Sequence, residues 1–210
     1  MRYAVTPGTG HVFFSPEQLQ LVSEAAGPGG RVELNAFMQL IVHTASADAA
    51  EQQTRLRAAG LGVYPVGPAV KNLQTCTFCM GERAEGLPDA RALDAAVAGI
   101  PVPFPVRVGF SGCSSNCGEA LVRDIGVVRM DGNRYDLYIG GKPAGLTPTF
   151  GQKVAEAVAG EHLIAAVTAL LNTYRSSARG RERLWKNVAR VGFEPYRLAV
   201  EAAINEAGRP

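Results

Sequence analysis

The chain has 210 residues, 47% of them hydrophobic and 19% charged, with a net charge of +2. That length supports a real core, in one domain or two associated lobes, and the charge excludes general nucleic-acid binding. No apolar run approaches the roughly 18 residues of a membrane span, and "MRYAVTPGTGHVFF" lacks the basic-then-apolar order of a secretion signal, so the expected address is cytoplasmic.

The first 65 residues read as an α/β unit. Thr6-Pro7-Gly8-Thr9-Gly10, ahead of His11, reads as a plain turn, because it has neither the lysine of a phosphate-binding loop nor a dinucleotide fingerprint. Ser15 caps a helix over "SPEQLQLVSEAA", with Pro16 at its first position and Glu17 in its first turn. Gly27-Pro28-Gly29-Gly30 ends it, and "RVELNAFMQLIVH" follows as extended segments. "SADAAEQQTRLRAAG" is a helix stopped by Gly60, and "LGVYPVG" a short strand. The alternation has the style of a ferredoxin-like sandwich. Further on, "LPDARALDAAVAG" is a helix with Leu87, Ala90, Leu93 and Val97 on one face, and "FPVRVGF" is a strand. "DIGVVRM" and "RYDLYIGG" are strands joined by the hairpin turn Asp131-Gly132-Asn133. From about residue 150 the chain reads as helical. "TFGQKVAEAVAG" and "EHLIAAVTALLNTYRSSA" are amphipathic, and the last segment reads as two helices broken near Gly192. The expected class is α+β, with units over residues 1–66 and 67–210.

All four cysteines fall into two pairs, Cys76 with Cys79 and Cys113 with Cys117. In a reducing compartment such pairs point to metal or redox chemistry. A structural zinc site and an iron–sulfur cluster are level on spacing. A redox dithiol at Cys76-x-x-Cys79 would leave the second pair unused. Gly112, Ser114, Ser115 and Gly118 surround the second pair and let backbone N–H groups approach a bound sulfide, which favours the cluster. His11, His43 and His162 match no ligand spacing, and His162, in a helix N-terminal turn, is expected to be exposed.

"SGCSSNCGEALVRDIGVV" and "YDLYIGG" resemble the cluster-binding half of the siroheme-containing nitrite and sulfite reductases. The matching residues are Gly112-Cys113, Cys117, Asp124-Ile125-Gly126 and the run from Tyr135 to Gly141. "VKNLQTC" is similar to the segment entering that family's first cysteine, with Asn72 and Cys76 in register, and "RERLWKNVARVGFE" resembles its C-terminal helix. The resemblance implies a ferredoxin-like half-domain followed by a nitrite/sulfite reductase-type lobe with C-terminal helices. It implies a [4Fe-4S] cluster on Cys76, Cys79, Cys113 and Cys117, with Cys117 also bridging to siroheme or a related iron tetrapyrrole. It implies a ferredoxin-like electron donor and a small anion of the sulfite or nitrite class as substrate. The macrocycle's carboxylates need cations, for which Arg31, Lys71, Arg107, Arg123 and Lys142 are candidates, with Asn116 as a polar contact. Each cation is weighed against a solvated surface charge, except Arg107, which alternation places opposite Val106 and Val108 beside the second cysteine loop. Larger members carry two copies of this lobe pair, so one copy implies a homodimer or a completing partner.

Three departures from the family pattern stand out. The family's first pair is Cys-x5-Cys, whereas here Glu82 occupies the second position and Cys79 falls three residues early. Cys79 is expected to take over the ligation, with Glu82 as the alternative. A Thr-x-Arg-Gln stretch is replaced by Asn35-Ala36-Phe37-Met38. Of two basic residues in the strand before the second loop, Pro105 replaces one, leaving Arg107 as the catalytic candidate. Each charged hydrogen bond lost costs roughly 1.5–3 kcal/mol. The expectation is a protein with scaffold and cofactors retained and a divergent anion pocket. The alternatives are a non-catalytic cluster or tetrapyrrole protein serving as electron carrier, sensor or cofactor carrier, and a zinc-stabilised binding module.

Overall fold

The computed structural model describes residues 1–10, 13–82 and 84–208, so His11 lies outside the described residues. Two compact units result, Met1–Gly67 and Pro68–Pro210. Among the described residues no helix is long and apolar enough to cross a membrane.

The first unit runs β1 (Arg2–Thr6), α1 (Pro16–Ala26), β2 (Arg31–Leu34), β3 (Leu40–His43), α2 (Ala49–Ala58), β4 (Gly62–Pro65). The strands form one antiparallel sheet in the order β2-β3-β1-β4. This is the βαββαβ order of a ferredoxin-like unit. β1 escapes a pattern reading because Tyr3, Ala4 and Val5 are buried in succession and leave no alternation to detect. A capping box starts α1: Ser15 Oγ accepts from the Gln18 N–H at 3.2 Å, and Gln18 Oε1 accepts from the Ser15 N–H at 3.0 Å. The Asn35-Ala36-Phe37-Met38 stretch is the loop of the β2–β3 hairpin. Asn35 Oδ1 accepts from the N–H groups of Phe37 at 2.9 Å and Gln39 at 3.1 Å, the turn-making use of asparagine.

The second unit carries β5 (Gln74–Thr75), α3 (Leu87–Val97), β6 (Val108–Ser111), β7 (Ile125–Met130), β8 (Arg134–Ile139), β9 (Gln152–Ala159), α4 (Leu163–Ser177), α5 (Leu184–Val191) and α6 (Glu194–Ala207). Its sheet has the order β5-β6-β7-β8-β9; the first three strands are parallel and the last two pairings antiparallel. Phe110, Ile125, Val127, Tyr135, Leu137 and Ile139 bury against α3, α4 and α6. The apolar face of α3 is the one its spacing predicts, with Ala90, Leu93 and Val97 fully buried. The 131–133 turn joins β7 to β8 with Gly132 and Asn133 at positive φ.

One element differs from the sequence expectation. Residues 152–159 form β9, not a helix. Val154 and Val158 point inward while Glu156 between them is exposed, a pattern that breaks strand alternation and fits a helical face. A β-bulge produces it: the register with β8 shifts on either side of Leu137, and Ala157 takes a φ of 52°. Asp136, 3% exposed, holds the bulge by accepting from the Ala157 N–H at 3.0 Å and pairing with Lys153 at 2.7 Å. His162, expected to be exposed, is only 18% so at the start of α4.

The C-terminal helices close on a buried polar network. Asn187 is fully buried; its Oδ1 accepts from Tyr196 and from Ser177 Oγ, and its Nδ2 donates to Glu182 at 3.0 Å. Arg190 grips Glu182 through both carboxylate oxygens, and together with Asn187 holds its pKa down to about 2. Asn187→Ala strands the Tyr196 hydroxyl in the core and should cost about 1–3 kcal/mol, read from the urea midpoint. Glu182 has a depressed folded pKa, so its contribution is fully present above the usual carboxylate range and is lost as pH falls toward about 2. Glu182→Gln should flatten that acid limb of stability against pH.

Candidate metal centre

β5 and β6 run parallel, with Thr75 opposite Phe110, so both chains leave the sheet at the same end. Cys76 follows β5 directly, and Cys113 follows β6 after Gly112. Asp94 of α3, 5% exposed, tethers the approach to β5 by accepting from the Leu73 N–H at 2.7 Å. Cys76 continues the pairing by donating its N–H to the Phe110 carbonyl at 3.2 Å. The first loop then turns sharply: Phe78, Cys79 and Met80 all have positive φ.

The second loop is wound around two side chains. Buried Ser111 donates through Oγ to Asn116 Oδ1 at 3.2 Å and accepts from the Gly118 N–H at 3.1 Å. Asn116, in the left-handed region at φ 57°, also accepts from the Leu121 N–H at 3.4 Å. Gly118 is required here, since a Cβ would stand 2.1 Å from the Phe110 carbonyl oxygen.

All four cysteines line one cavity of about 80 Å³, together with Thr77, Phe78 and Gly112. None is in a disulfide; Cys76 and Cys113 are half-buried, Cys79 and Cys117 exposed. The Gly112 N–H donates to Cys76 Sγ at 3.3 Å. Glu82 is exposed and does not line the cavity.

The cation candidates fall in different places. Arg107 donates to Asp124 through its backbone N–H at 2.9 Å and through Nε at 3.3 Å. Burial pushes the Asp124 carboxyl up, against the pull of Arg107. Arg123 pairs with Glu119, and its pKa is lowered by burial despite that partner, with the nearby Arg107 charge adding to the effect. Among the described residues the Arg123 Nε is buried without an acceptor. Lys71 is 8% exposed, and burial lowers its pKa. Lys142 donates to Thr147 Oγ1 at 2.9 Å and lies 4.9 Å over the Trp185 ring. Arg31 is exposed on β2 of the first unit, opposite His43.

The family described as "Nitrite and sulphite reductase 4Fe-4S domain" matches residues 69–207. The chain belongs to the nitrite and sulphite reductase family. A protein named sulfite reductase, assimilatory-type, from Nitratidesulfovibrio vulgaris is 27% identical over 95% of this chain and 93% of its own length. Cobalt-factor III methyltransferase from Priestia megaterium is 30% identical over 90% of this chain, which spans 34% of that protein. The structure of Mycobacterium tuberculosis NirA shares the fold with a TM-score of 0.72 at 16% identity, over 98% of this chain and 40% of that one.

The residues fit the family's cluster. Four sulfurs surround a cavity whose other walls are a threonine, a phenylalanine and a glycine, with one backbone N–H already aimed at sulfur. A tetrahedral zinc ion draws its thiolates to about 2.3 Å from one point. A four-iron cluster is a larger body and takes ligands that stand further apart. The half-buried Arg123, with a donor lacking an acceptor, fits an anionic group beside the second loop. Spacing arguments missed Asp94, Ser111 and Phe78. The one sequence signal for Ser111 was its place directly before Gly112-Cys113. Gly118→Ala should cost about 1–3 kcal/mol by overpacking and displace the second loop, seen as a lower melting temperature together with reduced iron loading.

Proposed function

We propose that the chain is an oxidoreductase of the nitrite/sulfite reductase type in which Cys76, Cys79, Cys113 and Cys117 hold a [4Fe-4S] cluster and Cys117 is shared with siroheme. The observation that carries this reading is the gathering of all four thiols on one cavity. The relative named as a sulfite reductase, matched over nearly its whole length, supports it. When bound, the cofactors supply single electrons and an open iron position for a small oxyanion.

The chain's own residues do the remaining work in this reading. The Gly112 N–H, donating to Cys76 Sγ, favours the more negative, reduced state. Arg107 is the group that neutralises the bound anion, with its guanidinium held in place by Asp124. Lys71, Arg123, Lys142 and Asn116 are the proposed contacts of the macrocycle, while Arg31 belongs to the first unit. Pro105 stands where the resemblance expects a second basic residue beside Arg107, which makes the anion pocket a divergent one. Cys79 and Cys117 are exposed, which gives a ferredoxin-like donor access to the cluster from solvent. In this assignment residues 1–66 are the ferredoxin-like half-domain and 67–210 the cofactor domain, and a second copy or a partner completes the cover of the macrocycle.

A second reading has one observation in its favour. A stretch similar to 90% of this chain lies within a protein named as a methyltransferase acting on cobalt-factor III. In that reading the cluster serves another enzyme's chemistry, as an electron carrier or a cofactor carrier, and no oxyanion is reduced here.

Anaerobically reconstituted protein separates these readings. The first expects about four iron and four sulfide per chain, siroheme bands in the visible spectrum, and turnover of sulfite or nitrite with reduced viologen. Cys79→Ser should lose the cluster while Glu82→Gln keeps it. A loaded protein that leaves both anions untouched would favour the second reading. A colourless protein with stoichiometric zinc would end both.

A further inference from the structure

We propose that Phe78 is the positioning residue that lets two cysteines only three positions apart, Cys76 and Cys79, both reach the cavity, by wedging the first cysteine loop against the second. The proposal rests on the cluster reading above. Phe78 lies inside an exposed loop yet is itself only 3% exposed, while Met80, two residues on, is 80% exposed. Its ring fills a slot between two glycines. A Cβ at Gly112 would stand 2.9 Å from the ring carbon Cδ1 and 3.5 Å from Cys76 Sγ. A Cβ at Gly86, which precedes α3, would stand 3.6 Å from the ring carbon Cε1. Behind the slot lies Phe110, with ring centroids 6.1 Å apart and planes tilted by 44°.

Seating this ring has a conformational consequence. Phe78, Cys79 and Met80 adopt φ values of 50°, 51° and 57°, three successive left-handed residues. Side chains of L-residues disfavour that conformation, and burial of the aromatic ring offsets the cost. A left-handed turn reverses the chain within a few residues. It thereby brings Cys79 to the cavity that Glu82 does not reach. The same ring braces Gly112, whose N–H donates to Cys76 Sγ and whose successor is Cys113. Phe78 therefore acts on both loops at once: it sets where Cys79 stands and how the Cys76 sulfur is hydrogen-bonded.

A residue that only fills core would lower stability and leave the cluster unchanged. Phe78→Ala should lose reconstituted cluster to an iron chelator about tenfold faster than the parent, the scale of lost supporting contacts around a metal site. Phe78→Leu keeps a buried side chain but presses unevenly on Gly112. It should load the cluster and show a more negative reduction potential, because a weakened N–H···S bond disfavours the reduced state. Circular dichroism of the apoproteins establishes which variants fold, and if Phe78→Ala does not, Phe78→Leu decides alone. A folded variant with the parent's chelator half-life and potential overturns the proposal. A parent protein that takes up no cluster instead overturns the reading beneath it.

Discussion

Parallel pairing of β5 with β6 sends two strands off the same end of the sheet, and the second unit is arranged around that fact. Two residue pairs suffice, Gln74 with Gly109 and Thr75 with Phe110. Had the strands been antiparallel, the cysteines that follow them would emerge at opposite ends. A parallel connection needs a crossover, and α3 supplies it. The helix also repays the short strand, since Asp94 fixes Leu73 immediately before β5 begins. The ends of parallel strands are where open α/β sheets place their ligands. Here that end holds four thiols on chains that the sheet has already aimed.

Charge beside β6 and β7 is balanced locally. Arg107 is matched by Asp124, and Arg123 by Glu119. Asp124 is the least solvated of these groups, and burial alone would keep its carboxyl protonated longer than usual. Its bonds to the Arg107 side chain and backbone tie the residue before β6 to the residue before β7. The pair therefore does structural work at the base of both strands as well as setting the orientation of a guanidinium. Arg123 is less completely matched, because Glu119 engages its terminal nitrogen and leaves the buried Nε without an acceptor among the described residues.

What could be read from the sequence follows from how local each signal is. The α1 cap, the buried face of α3, the 131–133 turn and the break at Gly192 depend on neighbouring residues, and each was legible. β9 is hidden in the sequence because its bulge turns Glu156 outward between two inward valines, and the residue that holds the bulge, Asp136, lies on another strand. The cysteines were legible as two pairs, but their meeting depends on a two-residue strand too short to carry any pattern. Phe78 looked like an ordinary apolar residue between ligands, since the glycine slot that receives it comes from residues 86 and 112.

The bulge in β9 has a further consequence. β9 is one edge of its sheet and β5 the other. Exposed edges invite pairing with other chains, and proteins discourage this with short strands, bulges and charges. β5 ends after two residues, and β9 carries Lys153 and Glu156 beside a kinked backbone. The irregularity that disguised this strand in the sequence is therefore also what keeps a mixed, largely apolar sheet from growing by strand addition to its neighbours in solution.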